Sequence, residues 1–349
     1  MTTVERRLPP DYRAASLRAD ALAGLTATPK ALPPKWFYDA QGSALFEKIT
    51  QLPEYYPTRA ERSILRAAAP EIASASGAHV LVELGSGSSE KTRLLLDALR
   101  DAGTLRCYVP VDVSESALVL AGDALAAEYP GLEVHAVASD FEEHLGLPAR
   151  GADPGGGDGA GPRLVAFLGS TIGNMVPAQR ATFLARVRSQ LRPGDTFLLG
   201  TDLVKDPAVL VAAYDDSAGV TAAFNKNVLA VLNAELGADF DLDAFDHVAL
   251  WDARNEWIEM RLRSASPQEV HVRDIGLVAA FAAGEEMRTE VSAKFRRDGV
   301  AAELAAAGFA MRSWWTDQAG QFGLSLSVPA DNEEGSGRLS GALRHNPAC

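Results

Sequence analysis

Three acids stand at the ends of successive apolar runs: Glu83 in Val80–Glu83, Asp112 in Cys107–Val113, and Asp140 just past Leu132–Ala138. The first run opens into Glu83-Leu84-Gly85-Ser86-Gly87-Ser88-Ser89. Its glycines permit a tight turn and close approach of backbone to a ligand, and the helix that follows offers free N–H groups. Asp112 lies 25 positions after Gly87 and can accept two hydrogen bonds from ribose hydroxyls. A carboxylate at Asp140 can meet an adenine amino group while Phe141 packs on the ring. Taken in order, these groups describe adenosine binding.

The loop departs from G-x-G-x-x-G because position 90 is Glu. Close packing on a pyrophosphate wants a third glycine and no acid, so a nicotinamide oxidoreductase is disfavoured. S-adenosyl-L-methionine (AdoMet) has no phosphate, and its cationic amine tolerates an acid such as Glu83. AdoMet is therefore the expected cofactor, with no metal.

These residues need strands and helices to hold them. Val80–Glu83, Cys107–Val113, Leu132–Ala138, Arg163–Leu168 and Thr196–Gly200 read as five strands. Helical stretches at Lys91–Arg100, Ser114–Tyr129 and Val176–Leu191 separate them, with Ser114 as an N-cap. Alternation of this kind predicts parallel βαβ units and an α/β, doubly wound sheet. Residues 205–294 change character, mixing a helical pattern (Pro207–Leu236) with hairpin-like stretches near Asp246–Arg263. A helix at Arg296–Ala307 then precedes Ala310–Thr316 and Phe322–Val328, joined by the loop Asp317–Gly320 as an antiparallel hairpin. A mostly parallel sheet ending this way is the class I (Rossmann-like) methyltransferase pattern. Arg150–Pro162 is Gly-rich and predicts a flexible surface loop, and residues 331–349 predict a flexible tail.

Composition narrows the partners. The formal charge of −13 disfavours the clustered Lys and Arg of a nucleic-acid surface. No apolar run approaches the ~20 residues of a spanning helix, and the N-terminus lacks a signal-peptide core. The two cysteines, Cys107 in an apolar run and Cys349 at the end, argue against a structural disulfide. A cytoplasmic monomer acting on a small molecule, with neither nucleic acid nor membrane, is expected.

More specific motifs lie elsewhere: Lys35-Trp36-Phe37-Tyr38-Asp39 with Gly42, Ser43, Leu45 and Phe46, then the run Leu52–Glu61. Glu83–Thr92 (ELGSGSSEKT), Phe167–Met175 (FLGSTIGNM) and Met287–Ser292 join them. In these motifs, across roughly residues 10–330, the chain resembles the histidine-specific methyltransferases of ergothioneine biosynthesis. The resemblance implies an AdoMet-binding catalytic domain at 60–203 and 295–330, and an α+β substrate-binding domain at 10–59 and 204–294. By the same resemblance, Gly85, Ser86, Lys91, Asp112, Asp140 and Phe141 hold the cofactor. Tyr55, Gly169, Thr171, Asn174 and Tyr214 surround the amino-acid head group, and Tyr38, Phe46, Met260, Glu290 and Ser292 its side chain. Asn174 and Tyr38 are the catalytic candidates. The implied reaction is trimethylation of the α-amine of L-histidine to its betaine.

The residue chemistry agrees. Glu290 and Ser292 are two apart and face one side of an extended segment, where a carboxylate and a hydroxyl can grip an imidazole N–H. A competing interpretation makes Ser292 a helix cap and Glu290 a solvated acid. Asn174 can accept from an amine while donating to a carboxylate. Methylation of another amino acid, such as tryptophan, and a non-catalytic AdoMet- or nucleotide-binding partner protein are the alternative functions. A buried acid facing an indole counts against the first, because it is desolvated for at most one N–H.

Overall fold

The computed structural model describes residues 3–140, 145, 147 and 161–330. Phe141, residues 150–160 of the Gly-rich segment and the 331–349 tail lie outside the described residues. The first half contains β1 (Val4–Arg6), α1 (Tyr12–Thr26), α2 (Ala40–Ile49), α3 (Pro57–Ser76), β2 (Val80–Leu84), α4 (Arg93–Asp101), β3 (Cys107–Asp112) and α5 (Glu115–Glu128). Next come β4 (Glu133–Val134), β5 (Ala136–Ala138), β6 (Arg163–Phe167), α6 (Pro177–Gln190), β7 (Thr196–Asp202), α7 (Pro207–Ala212) and α8 (Val220–Leu236). The rest is β8 (Phe245–Asp252), β9 (Trp257–Ser264), β10 (Gln268–Val272), β11 (Leu277–Phe281), β12 (Glu286–Ala293), α9 (Arg297–Ala306), β13 (Phe309–Thr316) and β14 (Phe322–Pro329).

β2, β6 and β7 are buried along their whole length, as expected of strands covered on both faces. They belong to a nine-stranded sheet of order β1-β5-β3-β2-β6-β7-β14-β13, with β4 beside β3. The sheet is the doubly wound α/β arrangement anticipated above. Pairing is parallel from β1 to β7, and β14 runs antiparallel between β7 and β13. The two-residue period sorts the core. Val80, Val82 and Leu84 join α6 and α9 on one face, while Leu81 meets α3 and α4 on the other. β2 sits between β3 and β6, so the chain winds outward in both directions from it. The loops after β2 and β6 therefore diverge, opening a crevice at the C-terminal strand ends.

A separate antiparallel sheet, β12-β9-β8, and the hairpin β10-β11 account for the remaining strands. This second sheet abuts the crevice. Just past β12, Phe295 donates its N–H to the Asp202 carbonyl at 2.8 Å and accepts from Val204 at 3.0 Å. At the other end, Leu32 and Arg288 exchange backbone contacts around Lys30, with Leu32 donating to Arg288 at 2.8 Å.

The helical pattern at Pro207–Leu236 is two helices, not one. Asp216 in the break caps α8 by accepting from Val220 at 3.0 Å and Thr221 at 2.7 Å. The third predicted strand splits into β4 and β5 at His135. No helix among the described residues is long and apolar enough to cross a membrane.

Candidate active site

The loop after β2 is tight: Gly85, Gly87 and Ser89 have φ of 67°, 50° and 53°. Gly85 and Ser86 both donate their N–H to the Val111 carbonyl, at 2.8 and 3.2 Å. Asp112 completes the join. Its Oδ2 accepts from Gly87 N–H and its Oδ1 from Ser114 N–H, each at 2.9 Å, so one carboxylate ties the loops following β2 and β3 together. Burial pushes its pKa up, against the pull of those backbone donors. Each oxygen keeps a further acceptor position, which two ribose hydroxyls could use. The Ser86 hydroxyl is buried and has no hydrogen-bond partner among the described residues. A buried polar atom without a partner is costly, and a ligand in this loop would satisfy it. These features fit AdoMet.

Asp140 accepts from the Tyr12 hydroxyl at 2.8 Å and lies 3.9 Å from the Lys35 ammonium. Residues from the N-terminal segment thus reach the C-terminal end of β5, a long-range contact that local pattern does not reveal. Lys91 pairs with Glu61, whose other oxygen accepts from Gly169 N–H at 2.7 Å. Glu61 is fully buried, and a Cβ at Gly200 would stand 2.3 Å from its Oε1. Gly169 therefore sits with Lys91. Glu83 turns to the α3/α4 face, accepts from Thr92 and Tyr108 at 2.6 Å each, and is pushed up to about 7 by burial.

Across the crevice, β12 carries Glu290 and Ser292 on one face, with Met260 of β9 opposite Glu290 in register. Ser292 is a strand residue, and α9 has no side-chain cap, so the helix-cap interpretation fails. A short 3-10 turn, Thr171–Asn174, aims Asn174 at the same face, and its Nδ2 donates to Glu290 Oε1 at 3.0 Å. Gly173 makes this approach possible, because a Cβ there would lie 2.9 Å from the Ala293 carbonyl oxygen. Burial pushes the Glu290 carboxyl up to about 7, opposed by Asn174 and the charge of Lys294. Thr171 donates its hydroxyl back to Leu168.

Aromatic rings line the other wall. Tyr38 meets Phe46 at 5.6 Å and Phe224 at 5.5 Å; Tyr55 meets Phe46 at 6.1 Å and Tyr214 at 6.4 Å. Tyr38 precedes Asp39, the N-cap of α2, which accepts from Gly42 N–H and from the Asn227 amide of α8. Although 39% exposed, the Tyr38 phenol has its pKa raised by burial and by Glu290, Tyr214 and Asp112. A part-exposed group so enclosed lines a cleft.

The break between α7 and α8 delivers Tyr214, whose hydroxyl is 2.7 Å from Ser292 Oγ. His247 holds the Tyr214 carbonyl through Nε2 at 2.8 Å. Behind this pair is a buried ionic group that the sequence reading did not single out. Lys294 Nζ lies 2.9 Å from Asp202 Oδ2, and Asp202 also accepts from the Tyr56 hydroxyl and the Lys205 ammonium. Burial draws Lys205 down to about 8. Neither Lys294 nor Asp202 belongs to a recognisable motif, and only the fold brings them together.

The sheet order, its one antiparallel strand and the loop after β2 make this a class I methyltransferase fold. The family described as histidine-specific, SAM-dependent methyltransferase matches residues 17–329. The chain belongs to that family. It is 61% identical over 318 residues to the histidine N-alpha-methyltransferase of Mycolicibacterium smegmatis, covering 91% of this chain and 96% of that protein. It is 58% identical over 326 residues to the enzyme of the same name from Mycobacterium tuberculosis, covering 93% and 99%. Ergothioneine biosynthesis protein 1 of Neurospora crassa is 36% identical over 214 residues, 60% of this chain and 23% of that protein.

Proposed function

We propose that this enzyme methylates the α-amine of L-histidine three times, yielding the betaine hercynine and opening ergothioneine biosynthesis. The observation that carries the reading is the pairing of Glu290 and Ser292 on one face of β12 beside an aromatic wall, with Asn174 anchored on Glu290. A neutral imidazole offers one donor and one acceptor, and a site built to bond both rejects rings that lack them. The names of the relatives support the same substrate. The proposed division remains 60–203 with 295–330 for cofactor, and 10–59 with 204–294 for substrate; the separate β12-β9-β8 sheet supports it. A monomeric, cytoplasmic enzyme acting on a small molecule completes the reading.

Bound AdoMet supplies a methyl carbon on a sulfonium, open to in-line displacement. Gly85, Ser86, Asp112 and Asp140 would hold it, with Lys91 nearby and Phe141 as the expected ring contact. The accepting amine must be neutral, since an ammonium has no lone pair. Asn174 uses Nδ2 on Glu290, leaving Oδ1 to accept from the amine and turn its lone pair toward the methyl. The raised pKa of Tyr38 keeps its phenol protonated, so it orients the amine and is no base. The proton released at each step goes to water. A growing quaternary ammonium gains ~0.5–2 kcal/mol from ring faces such as Phe46 and Tyr55.

The test is incubation of the pure protein with AdoMet and histidine, with mass detection of product. Mono-, di- and trimethylhistidine appearing in succession is the expected result; no mass gain on histidine, or gain on tryptophan alone, sinks the reading. Asp112→Ala should weaken AdoMet binding by ~1.5–3 kcal/mol, because it removes a charged acceptor and also releases Gly87 and Ser114. Unchanged affinity by calorimetry would show that Asp112 only ties the loops.

A further inference from the structure

Lys294 is buried, and its ammonium has three protons for three acceptors. Nζ lies 2.9 Å from Asp202 Oδ2, 2.9 Å from Tyr214 Oη and 2.9 Å from Ser292 Oγ. An ammonium can only donate, so both hydroxyl oxygens must accept from it. The two hydroxyls are also 2.7 Å apart, so one of them donates to the other. A phenol is the stronger acid and poorer acceptor of the two, with a pKa of about 10. The polarity therefore runs from Tyr214 to Ser292. Ser292 Oγ then accepts twice, from Lys294 and from Tyr214, and both of its lone pairs are used. Its own proton is left without an acceptor among the described residues, on the face of β12 that carries Glu290.

We propose that Lys294 is a positioning residue that fixes specificity by forcing Ser292 to act as a hydrogen-bond donor into the pocket. The pocket then presents one donor, Ser292, and one acceptor, Glu290, side by side. That pair complements a neutral five-membered ring with one pyridine-type nitrogen and one N–H, held in a single tautomer. A doubly protonated imidazolium would turn its second N–H toward an oxygen with no lone pair left, close to a buried cation. Without Lys294, Ser292 is free to accept or donate, and the selection is lost. This inference rests on the proposed histidine substrate and deepens it.

The experiment measures binding of histidine and of 3-(2-thienyl)-L-alanine by calorimetry, with S-adenosylhomocysteine present. The thienyl ring has similar size but neither nitrogen. Lys294→Met is expected to weaken histidine about ten-fold or more and to leave the thienyl analogue within about two-fold. A merely structural role would weaken both ligands alike, and that outcome overturns the proposal. Should Lys294→Met not fold, Lys294→Met/Asp202→Asn removes both charges together and is read the same way. Ser292→Ala supplies the second arm. It should cost histidine binding heavily in the wild type and little in the Lys294→Met background, whereas equal costs overturn the proposal. Wild-type protein that does not bind histidine refutes the functional reading and this inference with it. Wild-type binding with parallel losses refutes the inference alone.

Discussion

Asp202→Ala is expected to lower the free energy of unfolding by about 3–5 kcal/mol, the largest effect of any single substitution considered. Its carboxylate accepts from the Tyr56 hydroxyl at 2.9 and 2.8 Å, from Lys294 at 2.9 Å and from Lys205 at 2.5 Å. Removal leaves two ammonium groups without their counter-charge, one of them on a side chain with 0% exposure. A buried ion that loses its partner keeps its desolvation cost and gives up the compensating attraction. The group also joins the ends of β7 and β12 to the start of α3, so its loss loosens the meeting of the two sheets. Urea unfolding of Asp202→Ala and of Asp202→Ala/Lys294→Met provides the check. The double variant should recover part of the loss, because the orphaned cation is gone. A single-variant loss under about 1 kcal/mol would mean that this junction is held by the surrounding apolar packing.

Glu290→Ala should reduce kcat/KM for histidine by two to three decades, or about 2–4 kcal/mol, with AdoMet affinity unchanged. The variant removes a charge-assisted acceptor and leaves an imidazole N–H unpaired in an enclosed site. Asn174, which now donates to Glu290 at 3.0 Å, would lose that anchor too, so part of the loss should appear in kcat. Combining the change with a smaller residue at Met260, which faces Glu290 across the strands, should improve acceptance of tryptophan. The quantity to follow is the ratio of kcat/KM for histidine and tryptophan, and an unmoved ratio would remove Glu290 from the specificity argument. The pH profile offers a second check. With its carboxyl raised from the ordinary value to about 7, Glu290 is protonated below that pH and loses its acceptor strength. Wild-type kcat/KM should therefore fall as pH drops through 7. Glu290→Gln should lack this limb and keep those of the substrate itself, from its imidazole near ~6.5 and from its α-amine, which must lose a proton to react.

The parallel α/β character of the central sheet was legible because its strands are buried on both faces and read as continuous apolar runs between helices, whereas their lateral order was not assigned. The final antiparallel strand was legible for a similar reason, since β13 and β14 are joined by a short polar loop. Asp112 and Asp140 at strand ends were also legible, because βαβ topology places every C-terminal strand end on one side of the sheet, whereas Glu83, expected beside the cofactor amine, turns to Thr92 and Tyr108 on the α3/α4 face. The N-terminal helices α1, α2 and α3 were not assigned, although their Trp, Tyr and Pro motifs marked the region. Their packing partners, such as α8 for α2 through Asn227 and Asp39, lie far along the chain. The two-helix break around Tyr214 was hidden inside one long helical pattern, since Asp216 caps α8 only once the turn forms.

By itself, then, the sequence determined the α/β sheet, the Gly-rich loop after its first strand and the residues Glu290, Ser292, Asn174 and Tyr38 as a candidate set. These rest on local regularities: a two-residue strand period, a Gly-rich turn, an acid at a strand end and a motif that resembles a known family. Only the tertiary structure decided that Lys91 belongs with Glu61 and Gly169, that Tyr12 reaches Asp140, and that the Lys294 ammonium lies within hydrogen-bond distance of Tyr214 and Ser292. Each of these joins charges or hydroxyls from separate elements. Such pairs leave no periodic trace in the chain, because what selects them is the cost of burying each polar group without the other.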